Sequence, residues 1–162
     1  MIPQRVAETG LSITRVDPAS AEARWCVAQY FAELAVRFEH GFDASTSIPV
    51  DDAELRPPHG VFLMADMGGR PVGCGSVKPL APGIGYLKRM WIDESVRGQG
   101  LGRRMLTALE AAARELGMTT LRLETNRALT GAIALYRSAG YVEIAPFNDE
   151  PYAHHWFEKE LA

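Results

Sequence analysis

Residues 86–116, YLKRMWIDESVRGQGLGRRMLTALEAAAREL, constrain the fold more than any other part of the chain. The run YLKRMWI is dense in aromatic and aliphatic residues and suits a strand. From Leu101 the apolar positions Met105, Ala108, Leu109, Ala112 and Leu116 recur at helical spacing. Between strand and helix stands Arg97-Gly98-Gln99-Gly100-Leu101-Gly102. Glycines at alternate positions let a backbone turn tightly with its N–H groups unobstructed, and a helix that starts there adds free N–H groups and a positive dipole end. Such a turn is an anion cradle. Arg97, Arg103 and Arg104 surround it with permanent charge, so the ligand part it calls for is a phosphate or pyrophosphate.

The rest of the chain reads as one α/β domain over residues 1–162. After a frayed start, residues 11–16 alternate apolar and polar as a strand. Asp17-Pro18 then offers a cap and a first helical position for an amphipathic helix carrying Ala21, Trp25, Ala28, Tyr30, Phe31, Leu34 and Phe38. Residues 41–60 are rich in turn formers, with room for one short helix at 51–56, and have the length of a functional loop. Residues 61–67 and 72–78 flank Gly68-Gly69, a hairpin signal, and Pro82-Gly83 precedes the central strand, so an antiparallel meander is expected. Beyond Gly117, residues 119–124 read as a strand, 126–137 as a helix ended by Gly140, and 141–145 and 153–161 as two further strands. The crossover from residue 86 to 124 should make its two strands parallel.

Composition narrows the function. A net charge of -3 argues against a general nucleic-acid surface, which needs clustered Lys and Arg. Cys26 and Cys74 are too few and too far apart for a disulfide framework or a zinc site, and a reducing compartment fits them. No apolar run approaches the ~20 residues of a membrane span, and MIPQRVAETG lacks the apolar core of a secretory signal. A cytoplasmic protein with no membrane or nucleic-acid partner is expected, with a homodimer left open.

With these residues in view, the chain resembles the GCN5-related N-acetyltransferase (GNAT) superfamily over nearly all its length. The signature Q/R-x-x-G-x-G/A is met by Arg97, Gly100 and Gly102 between strand and helix. A second typical segment, an Asn followed by a helix ending A-L-Y-x-x-x-G-[FY], is met by Asn126, Ala134, Leu135, Tyr136, Gly140 and Tyr141. The rival dinucleotide fingerprint would need a third glycine where Arg103 stands.

The resemblance implies a mixed, mostly antiparallel sheet whose central parallel pair splays, opening a slot for the pantetheine arm of acetyl-CoA, with helices flanking it. Met90, Trp91 and Ile92 would line that slot, residues Arg97, Gly98, Gln99, Gly100, Leu101, Gly102 and Arg103 would hold the pyrophosphate, and Asn126 and Tyr136 would complete the acetyl-CoA site. No metal is implied. Transfer to an amine needs N–H groups for the developing oxyanion and a proton for the departing thiolate, which Tyr136 would donate. Many relatives carry a glutamate early in the central strand, where this chain has Tyr86. The general base is therefore open between Glu124 acting through water and His154 or His155 acting directly, with adjacent strand positions letting only one histidine face the cleft. The first helix, the loop after it and the 147–156 segment, with Asp149, Glu150, Tyr152 and Trp156, would face the amine acceptor. An N-acetyltransferase is the leading expectation, and a non-catalytic acyl-CoA-binding or regulatory domain on the same scaffold the rival.

Overall fold

The computed structural model describes residues 10–161. The frayed start expected before the first strand lies outside these residues except for Gly10. Seven strands form one sheet: β1 (Leu11–Arg15), β2 (Val61–Met67), β3 (Arg70–Ala81), β4 (Ile84–Ile92), β5 (Thr120–Thr125), β6 (Val142–Ile144) and β7 (His155–Glu160), in the order β1-β2-β3-β4-β5-β7-β6. The helices are α1 (Ala21–Arg37), α2 (Leu101–Glu115) and α3 (Thr130–Ser138). All neighbouring strands are antiparallel except β4 and β5, which the α2 crossover joins in parallel.

The meander follows from its turns. Gly68 and Gly69 take φ of 61° and 86°, the pair of positive values that a two-residue hairpin between Met67 and Arg70 requires. The sheet is covered on both faces, which is why β2 is apolar at successive positions rather than alternating. Val61, Leu63 and Ala65 pack with Leu101, Met105, Leu106 and Leu109 of α2, and Tyr136 of α3 joins this core. Phe62 and Met64 turn the other way, with Cys74 and Trp91, onto Ala23 and Cys26 of α1 and Leu55. Both cysteines are buried there as small core residues.

Several local expectations are corrected. The cap of α1 is Ser20, whose hydroxyl accepts from the Ala23 N–H at 3.2 Å. Asp17 instead accepts from the Ala19 N–H and pairs with Arg56, holding the chain before the helix. The fully buried face of α1 runs through Ala23, Cys26 and Leu34, and Trp25 stands at its edge, 44% exposed. The 41–60 loop contains two single 3-10 turns, Ala44–Thr46 and Asp52–Leu55, the second with a capping box from Asp51 and Glu54. The helix expected from residue 126 starts at Thr130, because Asn126 folds the preceding turn by accepting from the Ala128 N–H at 2.8 Å. The last strand starts at His155, leaving His154 before it.

Candidate active site

The parallel pair is short. β4 and β5 pair only at Ile84 with Thr120, Gly85 with Leu121 and Tyr86 with Arg122. Past that point β3 keeps hold of β4 as far as Ile92, and β7 keeps hold of β5 as far as Thr125, so the two strands diverge with their outer partners. A bulge sharpens the divergence: Arg89 and Met90 together face Gly75, and Arg89 takes a φ of 57°, unusual for a residue with a Cβ. The resulting cleft measures about 1200 Å³ counted to its open mouth. It runs between Met90, Trp91 and Ile92 of β4, the turn before α2, and Leu135 and Tyr136 of α3.

The cradle closes one end of this cleft. Gly98 and Gly100 have φ of 80° and 82°, values that side chains disfavour, and Gly100 caps α2 without any side-chain acceptor on the first-turn N–H groups. A Cβ on Gly102 would come within 3.2 Å of Leu135, so the third glycine lets α3 approach α2. The arginines divide their work differently from the sequence expectation. The Nε of Arg97 donates to the Ile92 carbonyl at 2.9 Å and its guanidinium pairs with Glu33, so Arg97 braces the turn against β4 and α1. Arg103 reaches back to Ser138, and Gln99 and Arg103 are exposed, outside the cleft lining. The backbone N–H groups of the turn, rather than these side chains, are what could hold an anion there.

A second cavity, about 890 Å³ counted to its open mouth, lies beside the first and shares with it Tyr30, Leu34, Met90, Leu129, Ala132 and Tyr136. Tyr136 is buried at this junction against Tyr141 and Phe157, yet its hydroxyl has no hydrogen-bond partner among the described residues. Burial, with the charge of Glu124 adding to it, pushes its pKa well above the ordinary tyrosine value, so the phenol is a proton donor at neutral pH. Tyr30 on α1 matches it across the junction: its pKa is likewise raised by burial, then by Tyr136 and Glu124. The sequence pointed to the first helix as acceptor-facing, but helical spacing carries no signal that Tyr30 is the position that opens onto the junction.

Glu124 also lines the second cavity. Its Oε1 accepts from the Tyr86 hydroxyl and from Asn148 Nδ2 at 2.7 Å, while Oε2 has, among the described residues, only Lys88 Nζ, at 3.4 Å. Oε1 has its lone pairs taken and Oε2 keeps room for another donor. Tyr86, standing where an acid was sought, thus positions the acid supplied by β5. Burial, then Glu124, raises the Tyr86 pKa, so it stays a donor.

Other expected residues are placed elsewhere. His154 is exposed and outside both cavities, and its Nδ1 accepts from the Arg127 N–H at 3.1 Å. His155 Nδ1 lies 2.7 Å from Glu143. Neither histidine faces the cleft. Asn126 donates to the Tyr152 carbonyl at 2.7 Å and caps its own turn, so its side chain is consumed in folding. Glu150 is buried, accepting from the Ile48 N–H at 2.9 Å and the Tyr152 N–H at 3.1 Å, and so fastens the long loop to the segment before β7. Tyr152 does wall the second cavity, whereas Trp156 supports Asn148 from outside it. Asp149 is exposed, and among the described residues no His, Cys, Asp and Glu side chains group as metal ligands.

Comparison with known proteins agrees with this geometry. Residues 27–141 match the model of the acetyltransferase (GNAT) family. An IAA acetyltransferase of Azospirillum brasilense is 35% identical over 122 residues, 75% of this chain and 80% of that protein. A solved Klebsiella pneumoniae protein assigned to the acyl-CoA N-acyltransferases superposes with a TM-score of 0.73 at 33% identity, covering 94% of this chain and 98% of its own. The fold is shared with yncA of Salmonella typhimurium, solved with its cofactor acetyl-CoA, at a TM-score of 0.67, 16% identity and coverages of 94% and 95%. A sheet that opens at its parallel pair, a glycine cradle at the mouth of that opening and these sequence matches have one consequence: the chain belongs to the GNAT acetyltransferase family.

Proposed function

We propose that the protein transfers the acetyl group of acetyl-CoA to a primary amine by direct attack, with both substrates bound together. The observation that carries this reading is the pair of cavities sharing one junction, with the unpartnered Tyr136 hydroxyl on the shared wall. Donor and acceptor have separate space, and none of the shared residues is a Cys, Ser or Lys that would carry the acetyl group in between. The cleft residues fit acetyl-CoA: the cradle admits a pyrophosphate without side-chain obstruction, and the edge of β4 beyond Tyr86 is open to an arm with amide groups.

Acetyl-CoA supplies an activated acetyl carbon: the amine nitrogen bonds to it, the C–S bond breaks, and CoA leaves as the thiol. The N–H groups of Gly98, Gly100, Leu101 and Gly102 bind the pyrophosphate, and Met90, Trp91 and Ile92 line the path of the arm. Tyr136 donates the proton that the sulfur takes. Glu124, through Oε2, accepts the proton that the amine gives up, directly or through one water. Arg103 and Arg104 add only a positive field at the rim.

Thiol release from acetyl-CoA across a panel of amines tests the reading. Amine-dependent release, with Glu124→Gln lowering kcat/KM for the amine while acetyl-CoA still binds, is the expected result. Tight CoA binding with no release for any amine would instead make the protein a non-catalytic acyl-CoA-binding or regulatory domain. The engagement of Glu124 by Tyr86, Asn148 and Lys88 is the observation on that side.

A further inference from the structure

The second cavity holds one cation whose side chain has no hydrogen-bond or ion-pair partner among the described residues. Lys88 pairs with Glu124, and in the neighbouring cleft Arg37 and Arg97 both pair with Glu33. Arg89 lines only the second cavity, and its guanidinium makes no hydrogen bond or ion pair with any described residue, the Arg89 carbonyl alone accepting from Cys74 Sγ at 3.3 Å. Its guanidinium lies over the Phe31 ring at 5.2 Å, and partial burial makes its charge harder to hold. The nearby acid Asp52 is engaged by Arg24 at 3.4 Å, and Glu150 is spent on the loop. The bulge that puts Arg89 at a φ of 57° keeps this unpaired fork at the cavity wall. An unmatched guanidinium in a half-buried site costs stability unless a ligand completes it, and its planar fork matches a carboxylate.

The same wall is aromatic. Phe31 and Phe42 lie 5.2 Å apart, and Phe42 and Tyr152 4.8 Å apart, a continuous ring surface on the Arg89 side of the junction. We infer that the amine acceptor is a small molecule bearing a carboxylate, which Arg89 binds, and a flat apolar body, which Phe31, Phe42 and Tyr152 hold. An aromatic amino acid meets this description, its amine lying between Glu124 and Tyr136. A protein lysine brings no carboxylate of its own and does not. This inference rests on the transferase reading above, and its test separates the two.

L-Phenylalanine and 2-phenylethylamine differ only in the carboxylate. With saturating acetyl-CoA, the wild-type protein should favour phenylalanine by roughly tenfold to a hundredfold in kcat/KM, the range of a charge-assisted pair. Arg89→Gln should lose that preference through the KM for phenylalanine and leave 2-phenylethylamine within about twofold, and Arg89→Lys should restore part of it. Because both proteins see the same amines, differences in amine basicity cancel. Equal wild-type rates for the two amines, or equal damage to both by Arg89→Gln, would overturn the inference. Calorimetric binding of N-acetyl-L-phenylalanine and N-acetyl-2-phenylethylamine decides the matter without turnover. Tighter binding of the acid that disappears in Arg89→Gln upholds the anion site even if no amine is acetylated. Failure of the wild-type protein to prefer the acid removes it.

Discussion

Replacing Tyr136 by Phe isolates one proton. The ring keeps its packing against Tyr141 and Phe157, at centroid distances of 5.8 and 6.3 Å, and the lost hydroxyl has no hydrogen-bond partner among the described residues. Folding stability should therefore change by less than ~0.5 kcal/mol, the range of substitutions that disturb no packing or bonding. Acetyl-CoA binding should hold within about twofold, because a thioester sulfur is a weak acceptor. The chemical step should slow by about 10²–10⁴-fold, or about 2.7–5.5 kcal/mol at 1.36 kcal/mol per decade, if the phenol protonates the thiolate. Rapid-quench single turnovers measure this step apart from product release. Tyr30→Phe is the internal control, since its phenol lines the same junction, and it should stay within about tenfold of wild type, well short of the loss of a general acid. The raised pKa of Tyr136 adds a pH signature: the wild-type chemical step should show no falling limb from this group through the ordinary tyrosine range near ~10. A Tyr136→Phe protein that turns over at the wild-type rate, or a loss that follows Tyr30 instead, would refute the assignment.

Gly100→Glu should fold, since no atom lies within 4 Å of its Cβ, but a side chain at a φ of 82° costs ~1–2 kcal/mol and its carboxylate repels a pyrophosphate. The dissociation constant for acetyl-CoA should rise at least about tenfold, and an unchanged value in calorimetry would remove the cradle assignment. Gly85→Ala drives a methyl to 2.5 Å from Met118 Sδ and 2.7 Å from Leu121 Cδ2, so urea unfolding should report ~1–3 kcal/mol of overpacking. Tyr30, Tyr86, Tyr136 and Tyr141 all have pKa values raised by burial. The folded state holds these protons more tightly than the unfolded one, so their contribution to stability is complete below about pH 10 and fades as pH rises further. Tyrosinate absorbance from these residues should appear together with unfolding. Its gradual growth in a still-folded protein near that pH would count against their burial.

What the sequence made legible is local. The Gly68-Gly69 hairpin and the glycine turn before α2 each announce themselves within a few residues, because turn geometry and helix capping are short-range physics, whereas Tyr136 was singled out only by the resemblance of its segment. The positive-φ backbone of that glycine turn was readable for the same reason, but the partners of Arg97 were not: Glu33 lies on a helix 64 residues earlier, and spacing does not report it. Glu124 was readable as a candidate base, whereas its hold by Tyr86 depends on the parallel register at Tyr86 and Arg122. Arg89 was illegible altogether, since a bulge is a mismatch between two strands and belongs to neither strand's sequence. His154 lies outside both cavities because the last strand begins at His155, two residues later than its apolar pattern suggests, so the rule that neighbours alternate faces did not apply to it.

The opening between β4 and β5 also makes the sheet mechanically uneven. Three residue pairs join its larger part, β1 to β4, to its smaller part, β5, β7 and β6. Elsewhere the two parts communicate through side chains, those of the shared core and the hydrogen bonds of Glu124 to Tyr86 and Lys88. The molecule resembles a partly unzipped seam, closed at Ile84 and open toward Ile92, and the strand edges along the open side have no ladder to cooperate with. Amide exchange should be fast along that side and slow on the flanks, where β3 and β7 hold the same strands. A chain-like ligand laid into the seam with amides of its own would act as a missing rung, coupling the two parts and slowing exchange in both. Binding would then register as a stiffening of the whole sheet, felt at β6 as well as at β4.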